Sequence, residues 1–300
     1  MAEPGQILFS TPGFRGYQTD EHNNRQAAEF VSISLTGRAC ALHCEHCDTK
    51  FLRGMTDLPR FGGSLYDLCA SLAEFGTRGV LVSGGSDNRG RVPLLPHIPD
   101  LIRIREVLGL AVRVHVGLPD QETCAAFSAV DVDGAMIDII GHRDTIREVY
   151  HLDAEPEAYE QALAWLEKYR IPAVPHIVLG LHFGKMLGEE AALAMIARHP
   201  PKLLVLVVLE PTSKTAMERV SPPSLEEIGV FFEKARRALP STPLMLGCAR
   251  PMGKIKQEID RLALEAGFNG IAFPAARTVE HARQAGLKPF FVNACCGVSW

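Results

Sequence analysis

The feature of this sequence that most restricts its fold is an alternation of short apolar runs with longer segments of helical pattern. The runs are rich in β-branched residues, and several are apolar at successive positions, as in strands that are covered on both faces. Such alternation is typical of βα units around a parallel sheet. Eight runs are candidate strands: residues 31–35, 80–83, 112–116, 135–140, 174–179, 203–209, 244–246 and 270–273.

Eight βα units predict an α/β fold, a closed (β/α)8 barrel of the TIM type. The chain has 300 residues, of which 47% are hydrophobic, so one barrel would use nearly all of it. We expect an N-terminal extension at residues 1–30 and one barrel domain at residues 31–300 that ends in a cysteine-containing tail. Because active sites of such barrels lie at the carboxyl ends of the strands, functional residues are expected directly after the runs.

Charge and hydropathy narrow the range of partners and compartments. Lys and Arg number 31 against 35 Asp and Glu, a formal charge of −4, so neither nucleic acid nor a membrane surface is an expected partner. No apolar stretch approaches the roughly 18 residues that span a membrane, and the N-terminus lacks the pattern of a secretory signal. We therefore expect a cytoplasmic protein whose eight cysteines stay reduced and can bind metal.

Three cysteines follow the first predicted strand directly, with the spacing C-x3-C-x2-C: Cys40, Cys44 and Cys47. A loop of this length can place three thiolates on three corners of a cubane iron–sulfur cluster, since such clusters are held by cysteine. The fourth iron would stay open and could chelate the amino and carboxylate groups of S-adenosylmethionine (SAM). The alternative is a structural zinc site with His43 or His46 as fourth ligand. Structural zinc usually stabilises small modules, whereas this loop opens a large barrel.

This loop, and its place after the first strand, resemble the signature of the radical SAM superfamily. The resemblance implies a barrel of the radical SAM type, a 4Fe–4S cluster on the three cysteines, and SAM as cofactor and source of a 5′-deoxyadenosyl radical. The family usually has an aromatic residue that touches adenine just before the third cysteine, where this chain has His46. The run LVSGGSD resembles the Gly-Gly-Glu motif that holds the amino group of SAM, although a plain glycine turn is the alternative. Its candidate SAM contacts are Ser83, Gly84, Gly85 and Ser86, with Ser86 in the place of Glu.

Two later strands carry further candidates by resemblance. Asp138 is a charged residue within an apolar run, which is costly to bury without a partner. In biotin-synthase-like members this region recognises SAM or substrate; an ion pair within the barrel is the alternative. The segment PHIVLGLHFGK resembles the one against which adenine packs, so Val178 and Gly180 are candidates for SAM binding.

A second group of cysteines lies late in the chain. Cys248 follows the seventh predicted strand, and Cys295 and Cys296 are adjacent near the C-terminus. Three thiols from two distant segments could meet at the barrel mouth and hold an auxiliary iron–sulfur cluster, with one of the adjacent pair as a ligand. Alternatively, Cys248 is simply buried and the adjacent pair is an incidental or regulatory tail.

A more specific resemblance, to one branch of the superfamily, is carried by the terminal cysteine pair and three segments: LTGRACALHCEHC, PHIVLGLHFGK and LGCARPMGKIKQEIDRLALEAGFNGIAFP. Together they resemble biotin-synthase-related proteins and, among these, one subunit of the two-protein lipoyl synthases of archaeal type. That implies a sulfurtransferase that inserts sulfur from the auxiliary cluster into an unactivated C–H bond of a protein-bound octanoyl chain. The implied partners are a second radical SAM subunit, a lipoyl-carrier domain or protein as substrate, and a low-potential electron donor.

Two other functions stay open at this point. A radical SAM enzyme could catalyse a rearrangement or dehydrogenation without sulfur insertion, or the chain could be a non-catalytic subunit that supports an active partner. The number of clusters tests the first alternative, and the identity of the bound metal tests the second.

Overall fold

The computed structural model describes residues 5–13, 15–24 and 28–296. Within this part of the chain, eleven strands form one curled sheet in which every pair is parallel. The strands are β1 Gln6–Ser10, β2 Phe30–Ser34, β3 Thr56–Asp57, β4 Gly79–Ser83, β5 Ala111–His115, β6 Gly134–Asp138, β7 Ala173–Leu179, β8 Leu204–Val208, β9 Leu244–Leu246, β10 Gly270–Ala272 and β11 Lys288–Val292.

Helices connect the strands and cover the outer face of the sheet. They are α1 Leu58–Phe61, α2 Leu65–Glu74, α3 Ile98–Glu106, α4 Gln121–Phe127, α5 Arg143–Val149, α6 Pro156–Lys168, α7 Glu189–Arg198, α8 Leu225–Ala238, α9 Lys254–Glu265 and α10 Thr278–Gln284. Short 3-10 helices lie at Lys50–Gly54 and Leu95–His97. In the described residues, no helix combines the length and the apolar character that crossing a membrane requires.

All eight predicted strands are present, so the α/β fold of the TIM-barrel type is confirmed. The strand order is β11-β1-β10-β9-β8-β7-β6-β5-β4-β2-β3. Closure of the barrel was predicted wrongly, because in the described chain the edge strands β11 and β3 do not pair with each other. β3 has only two residues, so this edge offers a partner strand almost no backbone to pair with.

Part of the predicted N-terminal extension belongs to the sheet. β1 lies between β10 and β11, and its Leu8 is in register with Gly270 on one side and Phe290 on the other. Ile7 and Phe9 on this strand are 0% exposed. The first residues of the described chain therefore join the last strand to the rest of the barrel.

The sheet separates two apolar layers. Its outer face packs against the helices, as where Leu163 and Leu166 of α6 and Phe232 of α8 are buried. Its inner face forms a smaller apolar layer with one or two residues from most strands, among them Leu81, Met136, Val174, Val205 and Met245. Side chains on the inner face near the carboxyl ends of the strands are therefore held within a curved, partly apolar wall.

Candidate active site

The loop of Cys40, Cys44 and Cys47 leaves the carboxyl end of β2 and folds into tight turns. The Ser34 hydroxyl donates to the Gly37 carbonyl at 2.7 Å, and the amides of Cys47 and Asp48 donate to the Cys44 carbonyl at 2.9 and 2.8 Å. The Ser86 amide donates to the Cys40 sulfur at 3.4 Å. The predicted cluster loop is thus fixed to the segment that follows β4.

The Gly84–Gly85 pair permits this contact between the two loops. A Cβ at Gly85 would overlap the carbonyl oxygen of Ala39 and lie 2.5 Å from the Cβ of Cys40. The Gly85 amide also donates a hydrogen bond to the Thr36 hydroxyl at 2.7 Å, whereas a Cβ at Gly84 would approach Thr36 only to 3.3 Å. The close backbone approach at Gly85 is therefore made to the cysteine loop.

Two thiols of this loop are held in the protonated form. Burial, followed by the neighbouring Cys47 and Cys40, raises the pKa of the Cys44 thiol. Burial also raises the pKa of Cys47, against the opposing effect of the backbone N–H groups of Phe51 and Thr49. Iron binding to such thiols must release protons, so affinity for the metal rises with pH.

The two histidines of the loop have different environments. The His43 imidazole is largely exposed, with Nδ1 at 3.1 Å from a carboxylate oxygen of Asp48. The His46 ring packs at 5.3 Å from Tyr150 and 6.3 Å from Phe51 between ring centres, and its Nδ1 is buried without a hydrogen-bond partner in the described structure. Burial lowers the pKa of His46 to about 4, although Asp138 acts in the opposite direction. His46 is therefore a neutral ring near pH 7.

The donor set of the loop fits a cubane cluster. Among residues 5–13, 15–24 and 28–296, no three His, Cys, Asp or Glu side chains are gathered so that they could hold a metal ion. A single zinc ion needs all its sulfurs about 2.3 Å from one centre, whereas each cysteine of a cubane binds a separate iron. Soft thiolates in one loop, one of them already receiving an amide hydrogen bond, suit the latter.

Asp138 ends β6 beside this loop. Its carboxylate accepts a hydrogen bond from the Tyr150 hydroxyl at 3.2 Å, and it is in register with His176 on β7. In the described residues it makes no ion pair, so the alternative of a barrel ion pair was wrong. Burial, followed by Asp138, raises the pKa of Tyr150, which therefore stays a neutral donor to the carboxylate.

The remaining candidates for SAM binding lie on β4, on β7 and in the turn after β7. Ser83 is buried at the end of β4, in register with Ser34. Val178 is partly buried at the contact between the two apolar layers. Gly180 has φ +76°, its amide donates to Glu189 at 2.8 Å, and a Cβ there would meet the ring of Pro223. The turn after β7 therefore needs glycine for its own packing.

Cys248, Cys295 and Cys296 lie near one another inside the mouth of the barrel, although in the described residues they, too, do not form a group that could hold a single metal ion. Cys248 follows β9 by two residues and Cys295 follows β11 by three, yet the Cys296 thiol interacts with both other thiols. Cys295 and Cys296 are 8% and 4% exposed. Hydrogen bonding with Cys296 and burial raise the pKa of Cys248, whereas hydrogen bonding with Cys296 and the charge of Arg113 lower that of Cys295.

Two polar networks hold the segments that carry these cysteines. Fully buried Arg250 donates to Asp260 at 2.8 Å and to the carbonyls of Gly247 and Phe273 at 2.7 and 3.0 Å. Before Cys295, the amide oxygen of Asn293 lies 3.1 Å from the Thr11 hydroxyl and 2.8 Å from His22 Nε2. The N-terminal segment thus fixes the cysteine tail.

A polar stripe on the inner wall was not predicted from the sequence. Arg113 and His115 on β5 are in register with Leu81 and Met136, which belong to the inner apolar layer, and the ring of His176 on β7 lies 6.4 Å from that of His115. Arg113 is 6% exposed. A charged residue inside the apolar run AVRVH was the available signal, as it was for Asp138.

Comparison with known proteins identifies the type of fold. No family model matches the sequence, and no curated protein matches it. Among solved structures, methylornithine synthase (PylB) has a TM-score of 0.58 and 14% identity over 95% of this chain and 84% of its own. The hydrogenase maturase HydG has a TM-score of 0.63 and 14% identity over 95% and 64%. SuiB of Streptococcus suis, bound to SAM, has a TM-score of 0.54 and 11% identity over 81% and 57%. The chain therefore has an α/β barrel fold of the radical SAM type.

Proposed function

We propose that this chain is a radical SAM enzyme whose 4Fe–4S cluster is bound by Cys40, Cys44 and Cys47. The observation that carries the proposal is the three-thiol loop at the carboxyl end of β2, joined to the loop after β4 by the bond between the Ser86 amide and the Cys40 sulfur. When bound, the cluster supplies the electron that cleaves SAM. The barrel wall keeps the reacting groups from solvent.

The side chains around this loop would bind and orient SAM. His46 offers a neutral ring with a buried, unpartnered Nδ1, which suits stacking on adenine or a hydrogen bond to it. Ser83, Gly84, Gly85 and Ser86 form the neighbouring wall, where Ser86 can offer its hydroxyl to the amino group. Asp138 on β6, Val178 on β7 and Gly180 directly after β7 complete the candidate SAM site.

We propose sulfur insertion into an octanoyl chain as the reaction, with Cys248 and at least one of Cys295 and Cys296 holding an auxiliary iron–sulfur cluster. The meeting of these three thiols from distant segments supports this proposal. The inner apolar layer, which includes Val205, Val207 and Met245, could accommodate an acyl chain beside them. Sulfide of the auxiliary cluster would then be the sulfur donor.

A second candidate is a radical SAM rearrangement or dehydrogenation without sulfur insertion. The observation in its favour is the polar stripe of Arg113, His115, Asp138 and His176 on the inner wall. Buried charged and imidazole groups suit a polar substrate better than an octanoyl chain. In this reading the second cysteine group is not a cluster site.

The proposed partners follow from the proposed reaction. A lipoyl-carrier domain or protein would present the octanoyl chain, a second radical SAM subunit would share the synthesis, and a low-potential donor would reduce the cluster. SuiB, which has a TM-score of 0.52 to this chain and 10% identity, has been solved with its precursor peptide SuiA. That example supports a polypeptide substrate for a barrel of this shape.

The first test is the cysteine loop itself. We expect Cys40→Ala, Cys44→Ala and Cys47→Ala each to abolish 5′-deoxyadenosine formation from SAM and dithionite, because three thiolates are needed to hold the cluster. Cys69→Ala and Cys124→Ala are the matched controls, since these thiols are 0% and 1% exposed within helices. Anaerobic metal analysis should find iron in the parent chain. Zinc in its place, or SAM cleavage by a loop variant, would refute the proposal.

A further inference from the structure

A groove lined by arginine and aromatic side chains lies beside the cysteine loop. Its walls include Arg38, Arg53, Asp57, Arg60 and Phe61, so three guanidinium groups face one carboxylate, and its volume is about 360 Å³. We propose that this arginine groove is the docking surface for an acidic one-electron carrier protein that reduces the cluster. The inference rests on the proposed radical SAM function and locates the surface on which its electron donor binds.

The groove is built from the chain that flanks the cluster ligands. Arg38 precedes Cys40 by two residues, which limits the distance between their Cα atoms to about 7.6 Å. The Lys50 amide donates to the Cys47 carbonyl at 3.0 Å, at the start of the 3-10 helix that presents Arg53. A Cβ at Gly37 would lie 2.9 Å from the Asp57 carboxylate, so the cysteine loop packs directly on β3.

The charge of the groove selects the partner. Arg38, Arg53 and Arg60 are exposed, and in the described residues none of them makes an ion pair. The Asp57 carboxylate of the same groove accepts a hydrogen bond from the Arg60 backbone amide at 3.0 Å and neutralises one of the three positive charges at most. The whole chain carries a formal charge of −4, so a groove with three arginines is a local site of attraction for an acidic protein on a chain whose net charge repels it. Exposed guanidinium groups also bind carboxylates through paired hydrogen bonds.

Aromatic side chains give the groove an apolar contact next to the cluster loop. Phe61 in the groove is 45% exposed, and Phe51 beside it is 47% exposed. Aromatic and arginine side chains are enriched among the residues that dominate protein interfaces. The ring centres of Phe51 and His46 are 6.3 Å apart. A protein that contacts Phe51 therefore has only this side chain between itself and His46 of the cysteine loop. A nucleic acid would match the charge but has no electron to deliver.

The test compares protein-mediated with chemical reduction. The variant Arg38→Glu/Arg53→Glu/Arg60→Glu is compared with Arg237→Glu/Arg261→Glu/Arg277→Glu, which makes the same charge change on α8, on α9 and before α10. A reduced acidic flavodoxin and dithionite serve as the two reductants. We expect flavodoxin-driven 5′-deoxyadenosine formation to fall about tenfold or more only in the groove variant, with dithionite-driven formation within about twofold. Raising the salt concentration should slow the flavodoxin reaction of the parent chain more than that of the groove variant.

A binding measurement makes the test independent of turnover. Flavodoxin affinity, measured by fluorescence anisotropy with the reconstituted chain, should weaken by about tenfold or more in the groove variant and stay unchanged in the control. Equal effects of both triple variants, equal loss with both reductants, or no flavodoxin reaction with the parent chain would overturn the docking proposal. Failure of dithionite to produce 5′-deoxyadenosine from the parent chain would instead overturn the proposed function.

Discussion

Gly85 is the single residue on which the two loops of the candidate site most depend. Because a Cβ there would overlap the Ala39 carbonyl and crowd Cys40, Gly85→Ala should push the cysteine loop away from the loop after β4. We expect less cluster iron and less 5′-deoxyadenosine, measured after anaerobic reconstitution.

Gly84→Ala is the matched control for this prediction. A Cβ at Gly84 would meet Thr36 at 3.3 Å, which a small side-chain shift can relieve. Its iron content should therefore stay close to that of the parent chain. Normal iron content in Gly85→Ala, together with weakened SAM binding, would contradict this prediction. It would indicate that Gly85 contacts SAM directly.

His176 should make the fold sensitive to mild acid. Burial lowers its pKa from 6.5 to about 4, against the opposing effect of Asp138. The unfolded chain therefore takes up a proton below pH 6.5 while the folded chain does not, so stability is fully present above pH 6.5 and is lost towards pH 4. The full loss is about 3 kcal/mol, of which about 2 kcal/mol falls between pH 7 and pH 5.

The measurement is the urea unfolding free energy of the metal-free chain at pH 7 and at pH 5. His176→Phe removes the titrating group but keeps a buried ring, so its loss of stability over this interval should be smaller by about 2 kcal/mol. His46, whose pKa is also lowered to about 4, is unchanged in both proteins and cancels from the comparison. Equal losses in the two proteins would show that His176 is not held neutral.

What the sequence predicts at this scale depends on how local the signal is. The spacing of Cys40, Cys44 and Cys47 is a local pattern, and it located the loop at the end of β2. Gly85 packs against Ala39, which lies 46 positions earlier in the chain. From the sequence, Gly84 and Gly85 could therefore be interpreted only as a glycine turn or as a contact to SAM. Arg113 was missed because its neighbours on the inner wall come from other strands.

At the scale of elements, the length and burial of a strand decided whether it could be predicted. The eight predicted strands have three to seven residues and largely buried side chains. β3 has two residues, and β11 is only half-buried along most of its length. β1 resembles a strand by itself, but its position between β10 and β11 depends on the pairing of Leu8 with Gly270 and Phe290, which are 262 and 282 positions later in the chain.

The contacts between the N-terminal segment and Asn293, directly after β11, should hold the cysteine tail in place. Asn293 binds Thr11 and His22 of the N-terminal segment, two residues before Cys295. We expect Asn293→Ala to free the tail and raise the alkylation rate of Cys295 and Cys296 in the metal-free chain, as measured by peptide mass spectrometry. Gln284→Ala, which removes an exposed amide from α10, is the control.

The same variant separates a structural tail from a cluster ligand. If the tail holds an auxiliary cluster, Asn293→Ala should also lower iron after reconstitution while 5′-deoxyadenosine formation with dithionite persists. Faster alkylation with unchanged iron would leave the cysteine pair as a tail that binds no metal. Unchanged alkylation would mean that β11 holds the tail without the Asn293 contacts.

At the scale of the whole molecule, the curled sheet brings the two cysteine groups towards one mouth. The cluster loop follows β2 near one edge of the sheet, and the second group follows β9 and β11 near the other edge. Because all strands are parallel, every one of these segments leaves the same end of the barrel. The open side between β11 and β3 separates the edges, and curvature of the sheet turns both groups inwards.

Cys248→Ala tests whether these two groups act in sequence. Each cluster would draw on its own thiolates, so this variant should lose roughly half of the cluster iron. SAM cleavage should persist, since Cys40, Cys44 and Cys47 are unchanged. Without sulfide at the second group, the sulfur-containing product should vanish while 5′-deoxyadenosine still accumulates, as measured by liquid chromatography and mass spectrometry of an octanoylated carrier reaction. If the parent chain holds only about four iron atoms after full reconstitution, it contains one cluster, and the proposal of sulfur insertion is refuted. The polar inner wall of Arg113 and His176 would then favour a rearrangement or dehydrogenation.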